Sequence, residues 1–268
     1  MFNWLFHTPP EPVILNLGVL QIRWYGLLLA LALVAGVWLS IKLAKQVNIP
    51  GEKITNLAIL ATVTAIIGAR LFHVLEEWNY YANHLGDIIK FWQGGLAFHG
   101  VVFGGVIALI FWAQSNKYQM LKVLDFAFPA LALGQVIGRW GNWFNQELYG
   151  KPTNLSWGIP IQPEFRVSGY ESFSNFHPIF LYESLGNLLI LILLLCLWKK
   201  KLRPGTIAGV YLVSSPILRF FLDYLRLNQA HLGALTYAQV FSLILIAIGL
   251  AILFKIYYLN QRFAYERK

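Results

Sequence analysis

The sequence predicts an all-α integral membrane protein of seven transmembrane helices, and three observations carry that reading. Hydrophobic residues make up 57% of the 268 and charged residues only 12%. Mean hydropathy is +0.57. The apolar residues fall in seven runs, each long enough to cross about 30 Å of hydrocarbon, with short basic or aromatic connections between them. An ordinary soluble domain of this length carries about twice that share of charge, so lipid is the solvent for most of the chain. We read residues 1–268 as one transmembrane domain with no internal repeat and no second soluble domain.

The spans are expected near 24–41, 54–75, 95–113, 122–143, 178–198, 205–225 and 237–257. An odd number places the termini on opposite sides. Lys42, Lys45 and Lys53 follow span 1, Lys117 and Lys122 follow span 3, Lys199, Lys200, Lys201 and Arg203 follow span 5, and Lys255, Arg262, Arg267 and Lys268 follow span 7. By the positive-inside rule these connections are cytoplasmic, which puts the N-terminus outside and the C-terminus inside. The other connections hold Glu76, Glu77, Asp87, Glu164 and Glu171 with aromatic clusters such as Trp78, Tyr80, Tyr81 and Trp92. Among them is the longest loop, about 144–177, rich in Pro, Gly, Asn and Ser and expected to be irregular with a short amphipathic stretch.

The net charge of +9 would suggest a nucleic-acid partner if it formed a patch on a soluble fold. Spread as clusters between apolar runs, it fits loops held at an anionic leaflet, so no nucleic-acid partner is expected. The start, MFNWLFHTPPEP, has no basic n-region and no small-residue cleavage site, and we expect it to be retained. Cys196, the one cysteine, lies in LLILILLLCLWKK, where a thiol packs as a small apolar side chain and stays protonated and inert.

Polar residues in the spans share one depth. On the predicted orientation Tyr25 begins span 1, Arg70 ends span 2, His99 begins span 3, Arg139 and Asn142 end span 4, His177, Tyr182 and Glu183 begin span 5, and Arg219, Asp223 and Arg226 end span 6. All lie toward the outer face. An intramembrane charge costs about 2.5 to 3.5 kcal/mol on insertion scales, and scattered structural pairs have no reason to share a depth. One polar cavity opening outward is the economical reading; taken singly, each residue is equally well explained by snorkelling or by pairing with a neighbouring helix.

Three segments carry chemistry. In GQVIGRWGNWFNQELYG, Gly134, Gly138 and Gly141 permit close helix packing, and Arg139, Asn142 and Gln146 are expected on one helical face. A planar guanidinium beside amides suits a phosphate diester, to which it donates two parallel hydrogen bonds. Glu147 would orient Arg139 or a substrate hydroxyl, and a buried Arg139 to Glu147 pair that only ties helices is the competing reading. In WQGGLAFHGVVFGG, His99 lies between glycines; a lone membrane histidine is commonly structural, yet a neutral imidazole is also the usual base near pH 7. In RFFLDYLR, Arg219, Asp223 and Arg226 form one stripe in which Asp223 pairs with Arg219 and leaves Arg226 free. HPIFLYES puts Tyr182 and Glu183 one turn into span 5, expected as supporting residues. No metal-ligand spacing, P-loop, G-x-S-x-G or dinucleotide fingerprint is present, and no cofactor is expected.

These residues bring the chain into resemblance with the prolipoprotein diacylglyceryl transferases of bacterial inner membranes, over nearly its whole length. The family's G-R-x-G-N, N-x-E and closing Gly stand here as Gly138, Arg139, Gly141, Asn142, Asn145, Glu147 and Gly150. Also similar are Gly94, Gly95 and His99, the W-Y-G at Trp24 to Gly26, the H-P-x-x-L-Y-E at His177 to Glu183, and Arg226. The chain departs in having Gly100 and Val101 after His99, where many members have two glycines, and Asp223 where many have Glu.

The resemblance implies a catalytic domain that transfers the sn-1,2-diacylglyceryl group of phosphatidylglycerol to the lipobox cysteine of a prolipoprotein, with the site on the periplasmic side of the inner membrane. Arg139 and Arg226 would clamp the phosphate and His99 would accept the thiol proton. Tyr25, Arg70, Asn142, Asn145, Glu147, Gly150, Tyr182, Glu183 and Arg219 would hold substrate. A transporter or flippase should instead show repeats and polar residues at the midplane or on both sides. An intramembrane protease would need a nucleophile near its base, whereas Ser214 and Ser215 lie toward the inner half of span 6.

Overall fold

The computed structural model describes residues 8–18, 21–227 and 229–259, and within them seven helices are long and apolar enough to cross a membrane. They are α1 (Trp24–Lys45), α2 (Gly51–Glu76), α3 (Phe98–Ser115), α4 (Met120–Phe144), α5 (Ile179–Trp198), α6 (Thr206–Asp223) and α7 (Tyr237–Phe254). Each falls on an expected span, and the ends that differ have local causes. The first helix runs on to Lys45 because Lys42 and Lys45 in its last turn complement the negative end of the dipole. The third begins at Phe98 because Gly94 and Gly95 sit at φ +100° and +71°, a left-handed backbone no α-helix contains. Residues 1–7 and the basic Arg262, Arg267 and Lys268 lie outside the described residues.

The chain forms two compact units, residues 40–123 and residues 1–39 with 124–268. In the first, α2 and α3 pack backbone to backbone. A Cβ on Gly100 would overlap the carbonyl of Gly68, and one on Gly104 would overlap that of Thr64. Without a hydrophobic drive between helices in lipid, such small-residue contacts let dispersion forces and close approach hold the pair.

In the other unit a short hairpin, β1 (Val13–Asn16) with β2 (Gln21–Arg23), leads into α1. Gly36 of α1 lies close to the carbonyl of Ala130 on α4. Gly186 of α5 makes room for Leu218 of α6, and Gly209 and Gly249 bring α6 against α7. The buried Asp125 of α4 accepts the backbone N–H of Gly205 at 2.6 Å and of Ala208 at 2.8 Å, so a carboxylate from one span satisfies the N-terminal donors of another.

The outward faces of the spans stay apolar: Val34 and Trp38 on α1, Leu189 and Ile192 on α5, and Ile244 and Leu250 on α7 are exposed. Water would make such faces an aggregation hazard, and hydrocarbon makes them the stable arrangement. Cys196 corrects one expectation. Rather than packing inside the chain it is exposed on α5, among these apolar residues.

The loop between α4 and α5 is more ordered than its composition suggests. Trp143, Tyr149, Ile159, Ile161, Phe176 and Phe180 form a small apolar core beneath it. Across this core β3 (Ile159–Pro160) pairs antiparallel with β4 (Asn175–Phe176).

Candidate active site

At one end of the larger unit a single carboxylate gathers three guanidinium groups. Glu183, one turn into α5, ion-pairs with Arg139 Nε through Oε2, while its Oε1 accepts Arg226 at 2.8 Å and Arg219 at 3.2 Å. Asp223 takes the other side of Arg219 at 3.1 Å, and the Thr236 hydroxyl donates to the remaining Asp223 oxygen. Thr236 also begins α7 with a reciprocal capping box to Gln239, which fixes its hydroxyl. The expected Arg219 to Asp223 pair is present. The expected free Arg226 is not, because Glu183 holds it.

Burial separates the charges. The side chains of Glu183 and Asp223 are 4% and 1% exposed, against 27% for Arg139, 31% for Arg219 and 14% for Arg226. The acids lie behind and the guanidinium groups reach the accessible side. Three cations against two anions leave one positive charge on a partly dry surface, an arrangement that favours an incoming anion.

A chain of amides extends from this cluster. Arg139 donates to Asn142 Oδ1 at 3.4 Å, and the Asn142 amide donates to Glu147 Oε1 at 2.8 Å. Glu147 therefore meets Arg139 only through Asn142, which sets aside the direct Arg139 to Glu147 pair. Gly141 admits Tyr25, since a Cβ there would come within 2.8 Å of the ring. Gln146 does not share the helical face: α4 ends at Phe144, and Gln146 turns back at φ +51°. Its buried amide donates to the Pro10 carbonyl at 3.2 Å and accepts the Gln162 N–H at 2.8 Å.

Gly150 braces the site. Its N–H donates to the His177 carbonyl at 2.9 Å, it forms a β-bridge with Arg226, and a Cβ would meet the Leu225 carbonyl at 2.8 Å. Only glycine lets the loop strand lie beside the backbone that carries Arg226. Tyr182 accepts the Trp157 indole N–H at 2.8 Å and lies 3.2 Å from His177 Nδ1. Burial pushes the His177 imidazole below its ordinary pKa, toward the neutral form. Asn145, half-buried, continues the last turn of α4 by donating its N–H to the Gly141 carbonyl.

Arg70 and His99 belong to the smaller unit. Arg70, 8% exposed, donates Nε to the Ile88 carbonyl, one terminal nitrogen to Gly94 and Gly95, and the other to Asp87. Its donors are spent on pinning the loop that leads to His99. Gly95 must be bare for this, because a Cβ would come within 2.6 Å of the Arg70 guanidinium. His99 is exposed, with the Phe72 ring 5.5 Å away.

The sequence pointed to the arginines through their cost in lipid. It missed the central place of Glu183, and it missed Thr236 altogether, whose only signal was the capping pattern with Gln239 before the last span.

The chain is thus a seven-span helical membrane protein with a cluster of three arginines on a buried carboxylate at one end of its larger unit. A family model for prolipoprotein diacylglyceryl transferase matches residues 12–255. Phosphatidylglycerol–prolipoprotein diacylglyceryl transferases are similar to the chain throughout: that of Thermosynechococcus vestitus is 42% identical over 91% of this chain and 92% of its own. That of Acaryochloris marina is 43% identical over 96% and 95%, and that of Finegoldia magna 40% identical over 88% and 92%. The chain belongs to the prolipoprotein diacylglyceryl transferase family.

Proposed function

We propose that the chain is a multi-pass membrane transferase that moves the sn-1,2-diacylglyceryl group of phosphatidylglycerol onto the cysteine thiol of a prolipoprotein lipobox, with its site on the periplasmic side of the bacterial inner membrane. The names of its relatives supply the two substrates. The observation that carries the chemistry is the gathering of Arg139, Arg219 and Arg226 on Glu183. The basic connections after the odd spans support the periplasmic side.

In the reaction the thiol sulfur forms a bond to the glycerol carbon of the diacylglyceryl group as the bond from that carbon to the phosphate oxygen breaks. The thiol proton leaves, a thioether forms and glycerol phosphate departs. The phosphate gains charge as it leaves, so guanidinium donors fixed beforehand stabilise the transition state more than the ground state. Glu183 holds two of its three arginines by one oxygen, keeping them from collapsing apart when no phosphate is present. Arg139 and Arg226 clamp the phosphate with the donors that Glu183 and Asn142 do not occupy, and Arg219 supports them.

Tyr25, Asn142, Asn145 and Glu147 border the headgroup. Gly150, Tyr182 and Arg70 act by positioning: Gly150 aligns the Arg226 backbone, Tyr182 ties α5 to the loop, and Arg70 shapes the segment before His99. The role of His99 as acceptor of the thiol proton rests on its sequence motif.

The test of the clamp is Arg139→Lys. A point charge cannot reproduce bidentate donation, so the rate falls by about 10²-fold or more; a rate near wild type would sink the clamp.

A further inference from the structure

Leu148 is held at φ +54° with 47% of its surface exposed. A bulky residue rarely adopts this backbone, and strain of this kind persists where a surrounding structure requires it. Packing does not explain it, since the apolar core of the loop is built from Trp143, Tyr149, Ile159, Ile161, Phe176 and Phe180. Leu148 instead lines a cavity of about 540 Å³ with Pro12, Arg23, Glu147, Phe165 and Val167. Two left-handed residues, Gln146 and Leu148, flank Glu147. That turn sets the Glu147 carboxylate on the Asn142 amide and the Leu148 side chain in the cavity.

The cavity therefore starts where the phosphate cluster ends, one amide away from Arg139. It is lined by the connections rather than by the membrane-spanning helices, so acyl chains are not its natural occupant. We infer that it seats the acceptor polypeptide just beyond its cysteine, an inference that rests on the transferase reading above. A chain that enters from the bilayer and offers a thiol to the arginine cluster must continue past it along the connections. Leu148, Phe165, Val167 and Pro12 form an apolar floor for a small side chain. Arg23 on the lining offers a donor to the backbone carbonyls of an extended peptide.

The experiment uses the full-length protein in phosphatidylglycerol vesicles with two peptides, one ending at its cysteine and one continuing several residues beyond it. Leu148→Gly removes the side chain while relieving the backbone, and Val167→Trp fills the cavity. Both raise KM for the longer peptide by about tenfold, leave kcat and the KM for phosphatidylglycerol unchanged, and leave KM for the truncated peptide at its wild-type value. An unchanged KM for the longer peptide in both variants overturns the assignment. So does an equal rise for both peptides, or a rise confined to phosphatidylglycerol, which would make the cavity a lipid headgroup site. Wild-type protein that modifies neither peptide would refute the transferase reading itself, and the cavity assignment with it.

Discussion

A carboxylate only 4% exposed and facing three guanidinium groups, as Glu183 is, cannot lose its charge without leaving those cations uncompensated. Glu183→Gln keeps the shape and removes the charge, and it should lower stability by about 3 to 5 kcal/mol, read as a fall in thermal midpoint in detergent. Activity should fall with it, because the arginines lose their common anchor. His99 makes a different prediction. If it accepts the thiol proton, His99→Asn lowers kcat and leaves the KM for phosphatidylglycerol unchanged; near-normal turnover would remove it from the reaction. The arginines were legible in the sequence because each is costly in lipid, whereas their convergence was not: positions 139, 183, 219 and 226 meet only through the packing of three spans. Glu183 looked like a supporting residue for the same reason, and Gln146 looked helical because the turn after Phe144 depends on its ties to Pro10 and Gln162.

At the level of elements, the seven spans were readable almost to their ends, because lipid imposes length and composition on a crossing helix whatever its neighbours are. The misread end of α3 follows from two left-handed glycines, and the misread loop after α4 from apolar residues too scattered along the chain to show a period. The crossing of α2 and α3 gives a sharp test. Gly100→Val places side-chain atoms against the Gly68 carbonyl and the Ala69 backbone, neither of which can yield as a side-chain tip would. Overpacking of this kind costs about 1 to 3 kcal/mol, measurable as destabilisation, whereas Gly105→Ala, with open space around it, should be silent. The loop before His99 carries a pH prediction. Hydrogen bonds from Lys90 and Tyr80 hold the Asp87 carboxyl below its ordinary pKa. A depressed carboxylate contributes stability that is present above its unfolded value and lost as pH falls through the folded one, so protease protection of residues 77–97 should stay level from neutral pH to about pH 5 and fall only in stronger acid.

For the molecule as a whole, the apolar outer faces, the glycine-mediated crossings and the arginine cluster on Glu183 describe one strategy. In the larger unit the charged side chains of the spans, Asp125 toward one end and the arginine cluster at the other, are held by named partners, while the outward faces are given to lipid. The central claim is that this cluster serves transfer of a lipid fragment to a thiol. Its most direct test is to incubate the purified protein with phosphatidylglycerol and a lipobox peptide and to weigh the peptide. The account predicts a peptide heavier by one diacylglyceryl group, with glycerol phosphate released and no adduct on a peptide whose cysteine is replaced by serine. An unmodified cysteine peptide, with active relatives run alongside, would contradict it.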